Sequence, residues 1–384
     1  MKKLLIILII TYLSVTINSL ASAEKKENLL KIGVLLPLSG EFQTTGQSFL
    51  NAIQLAADQI GNDNIVIYPK DNKGNALDTY RAAKKFEELG IKIVIGPIFH
   101  KNLERLNEIN SITFISLTNK TQKIPKNTIA FGININSQID TLKDFFNKNE
   151  ISKTLVLTPK NQFNNQIKIV EKSEMKFKKI FFYDPNPRKI TGEIEKLTNY
   201  RERKKDLERR IKILEKSDLP KHQYELKQLE QRHTLGKVNF DSALVMDFGE
   251  RLKSVLTSFT FSDVSSKDVS FFTLNQWFDK SLFYESALEN LHFPSVNLEN
   301  LKKFEKQYTN IFDKEPNEVS ILAYDALGLI YYCWFKNNFE FKSEHLYSKE
   351  GFKGLHGEFY IRNNVSRQIL NIYKISNKKF VKVN

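Results

Sequence analysis

The chain has 384 residues, 41% of them hydrophobic, with 58 Lys+Arg against 44 Asp+Glu for a formal charge of +14. That is enough apolar material for real cores and enough length for two lobes. The excess charge is 47 Lys and only 11 Arg, spread from end to end. Nucleic-acid sites favour Arg forks and clustered aromatics, so the composition argues against a nucleic-acid partner. Lys2 and Lys3 precede an apolar core, Leu4 to Ile17, and then Ala21-Ser22-Ala23. This reads as a cleavable secretory signal peptide over residues 1–23, directing a periplasmic protein. No Cys follows the apolar core, so no lipoprotein attachment is expected. Cys333 is the only cysteine and lies in the apolar run "LIYYCWF", where a buried, inert thiol is expected.

From Glu24 onward short apolar runs alternate with amphipathic stretches. The runs Ile32–Leu38, Ile65–Tyr68, Ile91–Ile95 and Thr113–Leu117 read as strands. Thr45–Ile60, Ala76–Leu89 and Asn102–Asn110 read as the helices between them, and Gly61 and Gly90 stand where helices stop. This βαβ series predicts a parallel sheet covered by helices on both faces. A second series begins near Lys153 with "KTLVLTP", "KKIFFYD", "DSALVMDFG" and "VSFFTLNQW". The prediction is an α/β protein of two doubly wound lobes, with the first crossing between them near Phe131–Ser137. The charged segment 194–233 interrupts the second series. Its stripe Leu207, Ile211, Leu214 and its partner set Tyr224, Leu226, Leu229 predict two antiparallel helices turning at "KSDLP". The expected division is lobe 1 over residues 24–135, lobe 2 over 136–279 with the hairpin inserted at 194–233, a return to lobe 1 over 280–345, and a C-terminal β segment, 346–384, placed in lobe 2. "EPNEVSILAYDALGLIYYCWF" predicts a long helix from about Glu318, apolar nearly all round and therefore buried.

Motifs for catalysis are missing. There is no G-x-x-x-x-G-K-[ST], no G-x-G-x-x-G opening a helix, no G-x-S-x-G and no H-E-x-x-H. The six His lack metal-ligand spacing. The expectation is therefore a binding protein, with no enzyme activity, no cofactor and no metal. In open α/β sheets ligands bind beyond the carboxyl ends of the strands, which selects candidate residues by position. Ser39, Thr44 and Thr45 follow the first strand, and the helix N-terminus there favours a carboxylate or polyol; Thr44 and Thr45 equally fit simple helix capping. Phe99 and His100 follow the third strand, and Thr118 and Asn119 the fourth. From the second lobe come Asn161 and Phe163, Asp247, and Asn275 with Trp277. Asp247 either orients an ammonium or caps the next helix, and Trp277 serves as a ligand platform or as a lobe-interface aromatic.

"IGVLLPLSGEFQTTGQSFLNAIQLAADQI", "DNKGN", "IGPIFHKN", "SLTN" and the later "AYDAL" occur in the order that resembles the type I periplasmic ligand-binding fold in its leucine-binding-like branch. The resemblance covers most of the chain after residue 24. The charged helical insertion ending in "TLGKVNFDSALVMDFGERL" and the tail "GFKGLHGEFYIRNNVSRQILNIYKI" are similar to the penicillin-binding-protein activators. That likeness implies a cell-envelope protein that stimulates a peptidoglycan synthase, a membrane-bound partner. The broader likeness implies instead a solute receptor that delivers amino acids or related molecules to an ABC permease. In leucine-type binders small hydroxyl residues after the third strand hold the zwitterion; here Ile98-Phe99-His100 stand in their place. A larger or more apolar small-molecule ligand, or an empty cleft, is the expectation.

Overall fold

The computed structural model describes residues 29–383; the signal-peptide reading at 1–23 lies outside them. The first half of the chain runs β1 (Leu30–Leu36), α1 (Gln43–Ile60), β2 (Ile65–Asp71), α2 (Ala76–Glu88), β3 (Ile93–Ile95), β4 (Thr113–Ser116) and β5 (Thr128–Ala130). It then crosses to α3 (Ile135–Lys148), β6 (Thr154–Pro159), α4 (Asn164–Lys172), β7 (Lys179–Tyr183) and α5 (Pro187–Leu197). The hairpin α6 (Tyr200–Leu214) and α7 (Pro220–Leu229) follows, then β8 (Ser242–Val245), α8 (Gly249–Phe261), β9 (Ser270–Thr273) and β10 (His292–Ser295). Last come α9 (Leu298–Phe312), α10 (Ile321–Lys336), β11 (Phe352–Lys353), β12 (Glu358–Arg362), β13 (Val365–Ile369), β14 (Asn371–Ser376) and β15 (Lys379–Val383).

Two sheets form, one per lobe. The first has the order β11-β12-β13-β5-β4-β3-β1-β2 and the second β15-β14-β10-β9-β8-β6-β7. Strands β1 to β5 pair in parallel, as do β6 to β10, and both sheets end in antiparallel strands from the C-terminus. Central parallel strands are covered on both faces, which explains the nearly unbroken burial of β1. Helix α10 is buried along most of its length, with Leu322, Leu327, Ile330 and Trp334 covered, while Tyr332 and Phe335 near its end are half exposed. Each such side chain stabilises the fold by about 1.5–3 kcal/mol. The largest core continues from one lobe into the other, joining Ile32 and Phe49 to Phe259 and Phe293.

Three differences from the sequence expectation have local causes. Asn102–Asn110 forms two short 3-10 helices, His100–Leu103 and Leu106–Glu108, rather than one amphipathic helix. Leu103, Leu106, Ile109 and Ile112 are all buried. That spacing of three matches the 3-10 period and not the α period. The insertion begins at Tyr200, because Ile190 and Ile194 of α5 are fully buried in the main core. The domain bounds also shift. Strand β10 joins the second sheet, so the chain returns to lobe 1 at Val296–Asn297 and not at residue 280; a four-residue strand interrupted by Pro294 carries no readable alternation. The C-terminal segment divides between the lobes. Strands β11 to β13 extend the first sheet, and only β14 and β15 join the second.

Candidate functional site

In each sheet the strand order reverses once, between β1 and β3 and between β6 and β8. Ligand crevices open at such switch points, beyond the carboxyl ends of the strands. The loops at these ends carry the predicted residues. Two cavities lie here and share His100, Asn119 and Lys120. One, of about 560 Å³, is lined from lobe 1 by His100 and the loop Asn119–Lys123, and from lobe 2 by Ile135, Gln138, Phe163, Gln166 and Phe248. The other, of about 380 Å³, runs beside Phe99, Thr118, Gly132, Trp277 and Val319. Volumes of this order suit small molecules.

Phe99, His100, Thr118, Asn119, Phe163 and Trp277 are thus brought together at the cavities, and several are already engaged. The Phe99 ring lies against Phe42, centroids 4.6 Å apart, and Lys101 Nζ sits 5.9 Å from each ring. His100 Nε2 is 2.7 Å from the Gln122 carbonyl oxygen, which ties the Asn119–Lys123 loop to the end of β3. Thr118 Oγ1 accepts from the Lys120 N–H at 3.2 Å. Phe163 stands 6.1 Å from Phe248 across the second-lobe rim. Gly132 is required by close approach: a Cβ there would meet the Thr118 carbonyl carbon and oxygen at 2.6 Å.

Ser39, Thr44, Thr45, Asn161, Asp247 and Asn275 do not line either cavity. Ser39 Oγ donates to Asp71 at 2.5 Å, and the same carboxylate accepts from the Leu38 and Lys73 N–H groups at 2.8 Å. Burial pushes the Asp71 pKa up, but these hydrogen bonds outweigh it and hold the carboxyl below its usual range. Asp71 therefore shapes the loop after β1. Thr44 and Thr45 lie inside the first turn of α1, whose cap position is Phe42 without a side-chain cap, so the capping role falls to neither. Asn161 is exposed beyond β6.

Asp247 is fully buried. Arg251 grips it with two hydrogen bonds of 2.9 Å, Tyr183 Oη donates to it, and the Phe248 N–H donates at 2.8 Å. Its lone pairs are engaged within lobe 2, which leaves it no role in orienting a ligand ammonium. Burial first, and then the bond to Asp247, raise the Tyr183 pKa; the same carboxylate raises that of Arg251. Asn275 is likewise internal. Its Oδ1 accepts from the Trp277 N–H at 3.0 Å and from Ser295 Oγ at 2.8 Å, and its Nδ2 is buried with no protein partner.

Four residues at this rim, Asn161, Phe163, Trp277 and Phe278, have left-handed backbones with φ between 47° and 60°. For side chains other than Gly or Asn this costs about 1–2 kcal/mol each. Residues not singled out from sequence include Phe42, Lys120, Gln122, Gln138 and Phe248. In the sequence Phe42 and Phe248 stand out only as neighbours of chosen residues. Gln138 lies a turn into α3, and its Oε1 accepts from the Asn275 N–H at 2.8 Å across the second lobe. Among the described residues no group of three or more His, Cys, Asp or Glu is placed to hold a metal ion.

A family model described as "Periplasmic binding protein" matches residues 30–176. A curated relative, the penicillin-binding protein activator LpoA of Haemophilus influenzae, is 24% identical over 149 residues. That match covers 37% of this chain and 25% of the relative, so the chain matches about a quarter of that protein's length. Among solved structures, the C-domain of H. influenzae LpoA, described as a regulator of PBP1A, is matched at TM-score 0.62 and 16% identity, over 92% of this chain and all of that one. Full-length LpoA is covered to 60% of its chain at TM-score 0.63 and 15% identity. A putative branched-chain amino acid ABC transporter protein from Rhodospirillum rubrum is matched at TM-score 0.69 and 12% identity, over 92% of this chain and all of that one. The fold is that of a type I periplasmic binding protein: two lobes, each a doubly wound sheet, with a helical hairpin inserted in the second.

Proposed function

We propose that this is a non-catalytic protein of the bacterial periplasm that acts by docking onto a membrane-bound peptidoglycan synthase, in the manner of a penicillin-binding-protein activator. The observation that carries this reading is the internal engagement of the polar groups a zwitterion receptor would turn toward its ligand. Ser39 is bound to Asp71, Asp247 to Arg251 and Tyr183, and Asn275 to Ser295 and Trp277. A bulky Phe99, packed on Phe42, stands after β3 where a small hydroxyl residue would serve an amino acid. Sequence similarity to LpoA supports the same reading. The second reading, a solute receptor for an ABC importer, is favoured by the two ligand-sized cavities and by the likeness to the R. rubrum protein.

The test combines two assays on the purified protein. Titrated into glycan polymerisation by a purified bifunctional penicillin-binding protein, it should raise the rate saturably. In thermal unfolding against amino acids, sugars and short peptides, it should show no shift. A ligand at 100 times its dissociation constant adds about 2.7 kcal/mol and a rise of several degrees. Such a rise with an amino acid, and no effect on the synthase, would replace the activator reading with the receptor one.

A further inference from the structure

The hairpin α6–α7 is an arm with its own small core. Leu207, Leu214 and Leu229, backed by Ile211, Leu226 and Leu235, form a cluster separate from the lobe cores. The arm is rooted by Arg203, which is 8% exposed and donates to Thr234 and to the Asp263 carbonyl, the latter at 3.0 Å. Farther along, Arg210 forks onto Glu225 across the hairpin, at 2.8 and 2.7 Å.

The outer face of this arm is patterned. Arg201, Lys205, Arg209, Lys212 and Lys216 follow one another at spacings of four, four, three and four, and all are exposed. Arg201, Lys205, Arg209 and Lys212 lie on α6, and at 3.6 residues per turn they fall within an arc of about 80° that contains no other residue of that helix; Lys216 follows two residues past its end. Arg201 and Arg209 have acidic neighbours in Glu195 and Asp206. Among the described residues Lys205, Lys212 and Lys216 make no ion pair. Around the bend stand exposed apolar side chains: Ile213 is 61% exposed, Leu219 51% and Tyr224 69%. Lys221 is exposed beside them.

We propose that this arm is a membrane-contact element, which lays its basic stripe on an anionic phospholipid surface and seats Ile213, Leu219 and Tyr224 in the headgroup layer. An anionic bilayer attracts basic residues at about 1 kcal/mol each as a smeared charge, without demanding fork geometry. Protein interfaces, by contrast, are depleted in Lys. Lys is the majority in this stripe, and its long stems reach past apolar neighbours to the headgroups. The net charge of +14 adds long-range attraction of the same sign. No helix among the described residues is long and apolar enough to cross a membrane.

The test is co-sedimentation of the purified protein with vesicles of phosphatidylcholine alone or with about 30 mol% phosphatidylglycerol, a mixture chosen for the anionic surface potential involved. Binding should require phosphatidylglycerol and weaken in salt. The variant K205Q/K212Q/K216Q should bind on the order of a hundredfold more weakly. Neutralising three exposed lysines elsewhere on lobe 2, K168Q/K172Q/K176Q, should have much less effect. In Tyr224→Trp the emission of the added indole, read as the difference from wild type, should shift to the blue on binding. All these positions are exposed, so the variants should fold, and circular dichroism would verify it. No preference for anionic vesicles, equal losses in the two triple variants, or an unshifted emission difference for Tyr224→Trp would overturn the proposal; so would a stripe variant that binds vesicles normally but loses an acidic protein partner.

Discussion

Asp325 offers the sharpest test of how the C-terminal segment is held to lobe 1. This residue of α10 is 5% exposed. Its carboxylate accepts from the Leu355 and His356 N–H groups, both at 2.8 Å, and also bonds His356 Nδ1. The imidazole is stacked on Phe359 and edge-on to Phe131, and its Nε2 is buried without a protein partner. Asp325→Ala removes the acceptor of three donors. Leaving a buried donor unsatisfied costs about 1–3 kcal/mol, and here the Leu355 and His356 N–H groups and the His356 ring all lose their partner. Taking about 4 kcal/mol, and an unfolding entropy of about 2.1 cal/mol/K per residue over 384 residues, the melting temperature should fall by about 5 °C. Asp325→Asn, which keeps one acceptor, should fall between. Gly354→Ala supplies an independent check. Its added Cβ would sit 2.6–2.9 Å from the Asp325 carboxylate atoms, so it should destabilise wild type but do less harm on top of Asp325→Ala. The assay is thermal unfolding followed by circular dichroism. A melting temperature for Asp325→Ala within about a degree of wild type, or strict additivity with Gly354→Ala, would refute the reasoning.

Two further outcomes follow from buried titratable groups. His292 on β10 lies between Phe145 and Phe272, and burial first, with Lys374 adding, lowers its pKa below the usual 6.5. A depressed imidazole pKa means the unfolded chain binds the proton more readily. Its contribution is therefore full above about pH 6.5 and is lost as pH falls from there through the folded value. Urea unfolding from about pH 8 to 5 should show this decline, and His292→Gln should flatten it; parallel slopes would count against the assignment. The Cys333 thiol is pushed up to about 12 by burial alone. A thiol-specific disulfide reagent should leave the native protein unlabelled and react with one thiol per chain in denaturant; rapid native labelling would contradict the packing.

Much of the fold is legible in the sequence because long apolar periods leave little choice. The runs that form β1, β2, β4 and β6, the helices α1 and α2, the buried α10 and the helical hairpin all have patterns that only one kind of element satisfies. Short strands are harder. In β10, four residues including a proline carry no alternation, and its sheet is decided by pairing with β9 and β14 far off in sequence. The same holds for the tail, where pairing of Val365 with Ala130 draws β13 into the first sheet. At the site, sequence position locates the strand ends but not the direction of the side chains. Asp247 and Asn275 lie at the right ends but are turned inward: Arg251, four residues on, holds Asp247 together with Tyr183, and Ser295 holds Asn275, and neither Tyr183 nor Ser295 is announced by local spacing. Phe42 is hidden for the same reason, since only the fold brings it to Phe99.

The link between β13 and β14 has a mechanical consequence. It is one residue, Leu370, 7% exposed, joining a strand of the first sheet to a strand of the second. One residue spans at most about 3.6 Å, so the lobes have no slack with which to slide apart. The crossing at residues 131–134 is fastened beside it, with Asn134 Nδ2 donating to the Ser366 carbonyl at 2.6 Å and Gln368 Nε2 to that of Phe131 at 3.0 Å. Relative motion of the lobes is thereby confined to turning about an axis near these ties. A partner that grasps one lobe exerts a torque on the other, and the farthest rim moves most.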